Sequence, residues 1–458
     1  MKNRILLLMM ASGLIAKAQL DKSSCPANLS IFAEFAKVRN YDSAYQPWLE
    51  VRNNCPEINV ATFKYGERIL KYKINKATDD KAALQASLMS LYDDWLTYFP
   101  NTKRGASEVG KILSSKAQAM VDNNLGTKRE AYEIFDQAFT QDPKSFTNPD
   151  PLYTYFKTAY QLYKEGGKTA EVLFDKYEEV SEKFALEKTN LARKLDVILK
   201  KLETGEALTS REQRNKRIYE NYMLAFSERA RNLDAMISKE SSCENLIPLY
   251  RKNFEANRSN SVWLNRAASR MDAKECADDP LFVELVEALH AINPSANSAY
   301  YLGILKDKAG ESKAALAYYE ESLTLEQDQY RKADILYKIA VKFKKRNLKS
   351  KSRSYAREAL KNRPSMGKAY MLIASLYAAS ANDCGNTQFE KRAVYWLAAK
   401  LARKAAKVDS GVKKTGLKLV ASYEGRAPSK TDIFTEGRAG ETISFSCWIN
   451  SSVTVPQL

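Results

Sequence analysis

The sequence predicts an all-α protein, a solenoid of helical hairpins closed at its C-terminal end by a small β-hairpin. Three observations carry this. Apolar side chains recur at three- and four-residue spacing through long segments in which glycine and proline, 17 and 13 of 458 residues, are scarce. One pattern of small and aromatic residues comes back along the chain at intervals of roughly 34 residues, the mark of stacked helical hairpins. Only after Lys418 does the texture change to short alternating runs broken by glycine.

The repeat is clearest from Ala299 to Pro364. Ala299, Leu302, Gly303 and Lys306 are followed by Gly310, Ala315, Tyr319 and Leu323. The pattern returns as Leu336, Ile339, Ala340 and Phe343, and continues through Ala356, Ala359 and Leu360 to Pro364. Tyr370, Ile373, Ala374 and Tyr377 then open a hairpin whose second helix carries Tyr395, Trp396, Ala399 and Ala402. The small residues have a mechanical reason: two antiparallel helices approach closely only where Gly or Ala stands at the contact, and an aromatic fills the adjacent hole. This pattern resembles the tetratricopeptide repeat.

The same pattern extends upstream. Gly126, Ala131, Phe135, Ala138, Phe139 and Pro143 match the second half of a repeat, and Phe35, Ala44, Trp48 and Pro56 match one spanning about 25 to 58. Leu152 to Phe184, with Phe156, Tyr160, Phe174 and Tyr177, reads as a degenerate copy. Near Glu203 to Arg211 the helical pattern breaks, with Thr209 or Ser210 capping the next helix and Glu212 in its first turn. The expected organisation is a signal peptide over 1–18, a first helical array over 19–205, a second over 206–412 and a cap over 413–458; the alternative to the boundary is one continuous array kinked at the break.

The signal is read from Lys2 and Arg4, the uncharged apolar run Ile5 to Ile15, and Ala16-Lys17-Ala18, with cleavage after Ala18. The run is about half of the roughly 20 residues a spanning helix needs. Six cysteines remain in the exported chain, an even number that fits disulfides better than metal, since no Cys-x-x-Cys pair occurs and His290 is the single histidine. Cys25 and Cys55 bracket the first hairpin, and Cys243 and Cys276 bracket another. Each pair therefore ties a hairpin at its open mouth, at roughly 3 kcal/mol apiece.

The end of the chain sharpens the resemblance. Ile443-Ser-Phe-Ser-Cys-Trp-Ile449 and Ser452-Val-Thr-Val455 read as two strands about an Asn-Ser turn. Together with Ala379-Ser380, Cys384-Gly385, Ala393-Val394-Tyr395-Trp396, Pro428, Phe434, Gly437, Gly440 and Cys447-Trp448-Ile449, they look like an exported tetratricopeptide-repeat family of Bacteroidota. The likeness covers about 240 to 458 well and the first half loosely. It implies a third disulfide, Cys384 to Cys447, and a periplasmic accessory or scaffold role without a fixed activity. The family usually ends its second strand with Val-Arg, where this chain has Val455-Pro456.

Two surfaces stand out as candidates for binding. The formal charge of +17 is concentrated: residues 331 to 418 hold 23 Lys/Arg against five acids, so the rest of the mature chain is slightly acidic. Lys342, Lys344, Lys345, Arg346, Lys349, Lys351, Arg353 and Arg357 fall in one hairpin. If they make a working surface, reversing Lys344, Lys345, Lys349 and Arg353 to Glu leaves the fold intact, because Ile339, Ala340, Phe343 and Leu360 carry the packing. Repeats of this type bind extended segments in a groove lined by first helices, which here offers Tyr300, Ile304, Tyr337, Lys338, Val341, Lys345, Met371 and Ser375. That set departs from the Lys/Asn clamp for a C-terminal carboxylate found in chaperone-binding relatives.

Nothing in the sequence asks for a cofactor, metal or small-molecule substrate, and the chain reads as a non-enzyme. His290 stands without a nucleophile pattern. Gly167-Lys168-Thr169 lacks the earlier glycine and strand of a phosphate loop and reads as an inter-helix turn. The expected partners are proteins of the cell envelope, in a periplasmic adaptor of an outer-membrane assembly or secretion machine. The alternative is an anionic polymer or lipid surface, peptidoglycan or lipid phosphates, held by the basic block. Nucleic acid is not expected.

Overall fold

In the computed structural model, which describes residues 22–458, twenty α-helices and two short strands are found among the described residues. The signal segment and the expected new terminus at Gln19 lie outside them. The chain divides into two compact units, meeting in sequence at Thr158 and Ala159.

The first unit contains α1 (Cys25–Lys37), α2 (Tyr41–Asn54), α3 (Ala61–Lys76), α4 (Lys81–Tyr98), α5 (Val109–Asn123), α6 (Lys128–Gln141) and the start of α7 (Pro149–Lys164). Consecutive helices pair as α1 with α2, α3 with α4 and α5 with α6. Their starts follow from side chains that satisfy free backbone N–H groups: Asn40 accepts from Ser43 N at α2, and Thr127 and Glu130 form a reciprocal capping box at α6. Trp48 fills the first core, its indole Nε1 donating to the Thr62 carbonyl at 2.7 Å. Gly66 of α3 faces that ring, where an added Cβ would lie 2.6 Å from it. The Cys25–Cys55 disulfide joins the start of α1 to the residue after α2.

The second unit continues with α8 (Ala170–Glu203), α9 (Ser210–Ile237), α10 (Cys243–Asn257), α11 (Ser261–Ala273), α12 (Pro280–Ile292), α13 (Ala296–Lys308), α14 (Ser312–Leu325), α15 (Gln329–Lys345), α16 (Lys349–Asn362), α17 (Gly367–Ala378) and α18 (Gln388–Val408). Hairpins form between α11 and α12, α13 and α14, α15 and α16, and α17 and α18. At Gly303 of α13 an added Cβ would lie 2.5 Å from the ring of Tyr319 on α14, so the helices touch where the sequence puts its glycine. Cys243 and Cys276 are bonded across the mouth of the α10–α11 pair. The Gly167-Lys168-Thr169 segment is the turn before α8, with Thr169 as its N-cap accepting from Val172 N.

Two readings change here. The copy expected over Leu152 to Phe184 has no second helix ending near Phe184: α8 runs on to Glu203 and pairs with the also long α9. No glycine, proline or cap stops it, and apolar residues keep helical spacing through Leu195 and Ile198. The interruption at Glu203 to Arg211 is the turn of this hairpin, inside the second unit. Thr209 is the cap, in a capping box with Glu212.

After α18 come α19 (Lys413–Glu424), α20 (Lys430–Glu436), β1 (Thr442–Phe445) and β2 (Ser451–Thr454). The two helices went unread in the sequence, although Ser429 and Asp432 form a capping box and Gly437 ends α20 in the left-handed conformation (φ 67°). The strands pair antiparallel, Ile443 opposite Val453. The first strand is shorter than its apolar run: it stops at Phe445, and Cys447, Trp448 and Ile449 lie in the connection. Val455 still donates to the Glu441 carbonyl at 2.8 Å, so the Val455-Pro456 ending keeps the pairing up to the proline, which has no N–H to give. Ile433, Ile443, Phe445, Ile449 and Val455 share one core with α17 and α18, and Cys384 is bonded to Cys447. The implied pairing is the observed one.

Two outcomes test this packing. Gly303→Val should cost about 1–3 kcal/mol by forcing the α13–α14 contact apart, read as a lower urea midpoint with unchanged helical content. Cys384→Ser with Cys447→Ser reopens a loop spanning 63 residues. It should remove roughly 4 kcal/mol of stability from the C-terminal region, read as faster amide exchange in residues 430–458.

Candidate functional site

The first helices of successive hairpins, α11, α13, α15 and α17, stand side by side and present one continuous face. Neighbours are linked by Asn297 to Asn265 at 3.1 Å and by Lys368 to Asp334 at 2.7 Å. Lys342 of α15 reaches Asp272 of α11, two hairpins back, at 2.5 Å. Side chains so far apart in the stack meet only if this face is concave. The Lys338 ammonium lies 5.4 Å over the Tyr300 ring and that of Lys368 4.6 Å over Tyr337.

This crowding shifts the titrating groups. Desolvation pulls Lys338 below the usual lysine range even though its side chain reaches solvent; Asp272 and Asp334 oppose the fall and Lys368 and Lys342 add to it. Burial raises Asp334, but Lys368 and Arg363 outweigh it and leave its carboxyl low. The Tyr300 phenol is pushed far up by burial and by Asp272. The face is therefore a mixed trough of cations, buried phenols and a few well-held acids.

The groove residues separate into two groups. Tyr300 and Ile304 are 1% and 2% exposed and form the floor, so they are not surface available to a partner. Tyr337, Val341, Met371 and Ser375 are half-buried, while Lys338 and Lys345 are exposed. Tyr337 and Val341 pack against the C-terminal core, which fixes their positions. What remains open is a strip of Tyr337, Lys338, Val341, Lys345, Met371 and Ser375.

The basic block is largely engaged within the chain. Lys342 is bound to Asp272, Lys345 to Glu275, Arg346 to Asp307, and Lys349 to Asp383 at 3.2 Å. Lys344 donates to Ser375 Oγ at 3.0 Å, Arg357 to Tyr377 Oη at 3.1 Å, and Lys351 lies 5.5 Å over Phe343. Arg353 donates to the Ile449 carbonyl and covers Trp448 at 5.1 Å, while Trp448 Nε1 donates to Ser380 Oγ at 3.1 Å. These cations meet acids and carbonyls from neighbouring hairpins and from the cap. The expected neutrality of the fourfold reversal therefore fails on structural grounds. Glu at 345 and 349 would face Glu275 and Asp383, and Glu at 353 would face a carbonyl.

Signals for this engagement were present but unread: Asp272, Asp307, Asp334 and Asp383 sit about one or two repeat lengths from their cations. His290, half-buried in the last turn of α12, has its Nδ1 3.0 Å from Ser298 Oγ at the start of α13. That is a helix-junction role. Among the described residues no cluster of three or more His, Cys, Asp or Glu could hold a metal ion, and no helix is long and apolar enough to cross a membrane.

No protein-family model matches the sequence, and comparison with curated proteins finds no relative. Among solved structures, the chain is similar to a tetratricopeptide repeat protein from Parabacteroides merdae, 13% identical over 68% of this chain and 97% of that one, at a TM-score of 0.25. It is also similar to yeast Tom70, 11% identical over 90% and 82%, TM-score 0.26, and to the human IFIT1 dimer with PPP-AAAA, 14% identical over 90% and 95%, TM-score 0.28. Scores this low carry no argument, so the hairpin stack stands on the helix pairings themselves.

Arg353→Ala should loosen the C-terminal strands, since it removes both the bond to Ile449 and the cover on Trp448. A loss of about 2 kcal/mol, with rising exposure of Trp448 fluorescence to a soluble quencher, is expected; an unchanged emission would show that the disulfide alone seats the strands.

Proposed function

We propose that this chain is a protein-interaction scaffold, exported to the periplasm of a Bacteroidota-type envelope, where it holds protein partners of an outer-membrane assembly or secretion machine. The observation that carries the interaction role is the open strip on the first-helix face. Tyr337, Val341 and Met371 give it apolar contact, Lys338 gives it positive charge, and the hairpin core beneath holds it rigid. A rigid, mixed surface of this kind lowers the ordering cost of binding an extended or helical segment. Three disulfides and the N-terminal signal pattern support export, because such bonds persist in oxidising compartments.

The scaffold reading is also non-catalytic. The single histidine is engaged at a helix junction. The anionic-polymer reading is weaker than the scaffold reading, because the cations that suggested it are mostly committed to acids and carbonyls of the same chain.

Capture from detergent-solubilised envelope tests the reading. Lys338→Gln with Met371→Gln changes the open strip, adds no acid beside Asp272 and Asp334, and leaves the floor residues Tyr300 and Ile304 in place. It should reduce partner recovery at least tenfold while the thermal midpoint moves by no more than a few degrees. Full recovery with this variant, or recovery of peptidoglycan or vesicles in place of protein, would overturn it.

A further inference from the structure

The first-helix face is not bare along its whole length: α8 is seated on it at α11, and runs on over the start of α15 to the second helix α18. Arg270 of α11 binds Glu178 through Nε at 2.8 Å and Nη2 at 2.5 Å, and Arg266 binds Glu182 through Nε at 3.0 Å and Nη2 at 2.8 Å. Arg193 pairs with Asp328 at the start of α15, Tyr330 donates to Asp196 at 2.6 Å, and Lys404 of α18 binds Glu203 at 2.5 Å. Glu178, Glu182, Arg193, Asp196 and Glu203 follow at intervals of 4, 11, 3 and 7 residues. On a 3.6-residue period these fall on one stripe. The apolar side of α8 is used elsewhere, with Phe184 set edge-on against Phe226 of α9 at 5.3 Å. One helix thus carries an apolar face for its hairpin partner and a charged face for the array.

The charged seat holds without much net gain. The Glu178–Arg270 pair is almost enclosed, at 12% and 8% side-chain exposure, and enclosing a pair costs desolvation that attraction only partly returns. Burial accordingly raises the Glu178 carboxyl against the pull of Arg270, and raises Asp196 against the hydrogen bond from Tyr330. Ser365, through its hydroxyl and its backbone N–H, also pulls the Asp196 carboxyl down, and burial still outweighs both. The other pairs are partly open to water, where salt screens them. α9 adds polar and backbone contacts at the turn after α18: Ser410 Oγ donates to the Glu220 carbonyl at 2.6 Å, and Gly411 packs on Ser227.

Both ends of the α8–α9 hairpin come together. The turn before α8 contains Gly166 at φ 77°, and Tyr160 and Lys164 of α7 bind Glu240, after α9, at 3.0 and 3.6 Å. That is the geometry of a hinge. We propose that the α8–α9 hairpin is a flap occupying part of its own array's recognition face, and that an acidic amphipathic helix of a partner displaces it. The occupant defines the chemistry: four acids and one cation on a helical stripe meet Arg266, Arg270, Tyr330, Lys404 and Asp328. The inference rests on the scaffold reading for the existence of a partner, whereas flap opening is measured without one.

Hydrogen exchange of the full chain reads the flap directly. Raising salt from about 50 mM to 1 M shortens the screening length from over 10 Å to about 3 Å, and should speed exchange in residues 170–237 tenfold or more while 296–408 stay protected. Combining Glu178→Lys, Glu182→Lys and Glu203→Lys should produce the open state at low salt with the array's own cations intact. A fluorescein-labelled peptide of residues 174–203 should then bind this variant at least tenfold tighter than the wild-type chain, and lose that advantage at 1 M salt. Equal protection of α8 at both salt concentrations overturns the flap, whether or not the variant folds. An opened flap that gains no peptide binding overturns the acidic-helix partner.

Discussion

The structure depends on how closely the two helices of each hairpin approach. Gly303 against Tyr319 leaves no room for a side-chain carbon within its hairpin, Gly66 against Trp48 does the same between the first hairpin and the next, and alanines such as Ala340, Ala356 and Ala399 repeat the close approach later in the chain. Close approach aligns the first helices into a face and the second helices behind it. It also makes each hairpin dependent on its neighbours, because two short helices bury too little apolar surface to stand alone. The disulfides act on the same weakness. Two tie helix pairs at their mouths, and the third fastens the C-terminal strands over the last hairpin, where a solenoid otherwise ends in exposed apolar surface.

Charge does a different job from the one its density suggests. In the strongly basic stretch after Tyr330, Lys342, Lys345, Arg346, Lys368 and Lys349 are matched with acids on neighbouring hairpins, Asp272, Glu275, Asp307, Asp334 and Asp383, and Arg353 with a carbonyl of the cap. Such pairs add little stability individually where they are exposed. They do set the register of one hairpin on the next, and through Lys342 and Asp272 they reach across two steps of the stack. α8 uses the same currency from the other side, laying a mostly acidic stripe across cations that would otherwise face water. The uncovered strip around Lys338 is what this matching leaves over.

The helical-hairpin class, the position of the first and later repeats, the role of Gly303, the capping at Thr209 and the pairing of Cys25 with Cys55 and Cys243 with Cys276 were all legible in the sequence, because they are local. Each follows from residue spacing within a turn, a helix or one antiparallel pair. That α11 takes α12 as its hairpin partner, so that the second bond joins successive hairpins, was not legible. The third disulfide came from resemblance alone, and the strands came from local alternation, overextended where the apolar run passed through Cys447-Trp448-Ile449 into a turn. Helices α19 and α20 were missed because they are short and their apolar pattern is weak, although Ser429 and Asp432 marked one of them.

What only the tertiary structure decided is which side chains face one another across distant parts of the chain. Glu178 and Arg270 are 92 residues apart, Asp196 and Tyr330 are 134, and Lys404 and Glu203 are 201. No periodicity connects such pairs. Whether a lysine is free or held, and whether Tyr300 is groove surface or groove floor, depends on curvature, which sums small rotations over several hairpins. The sequence by itself determined the unit and its repetition, since a helix and its partner are specified by contacts three and four residues apart. The stack determined the surface, since exposure and charge at a site are set by neighbours that sequence order does not place beside it.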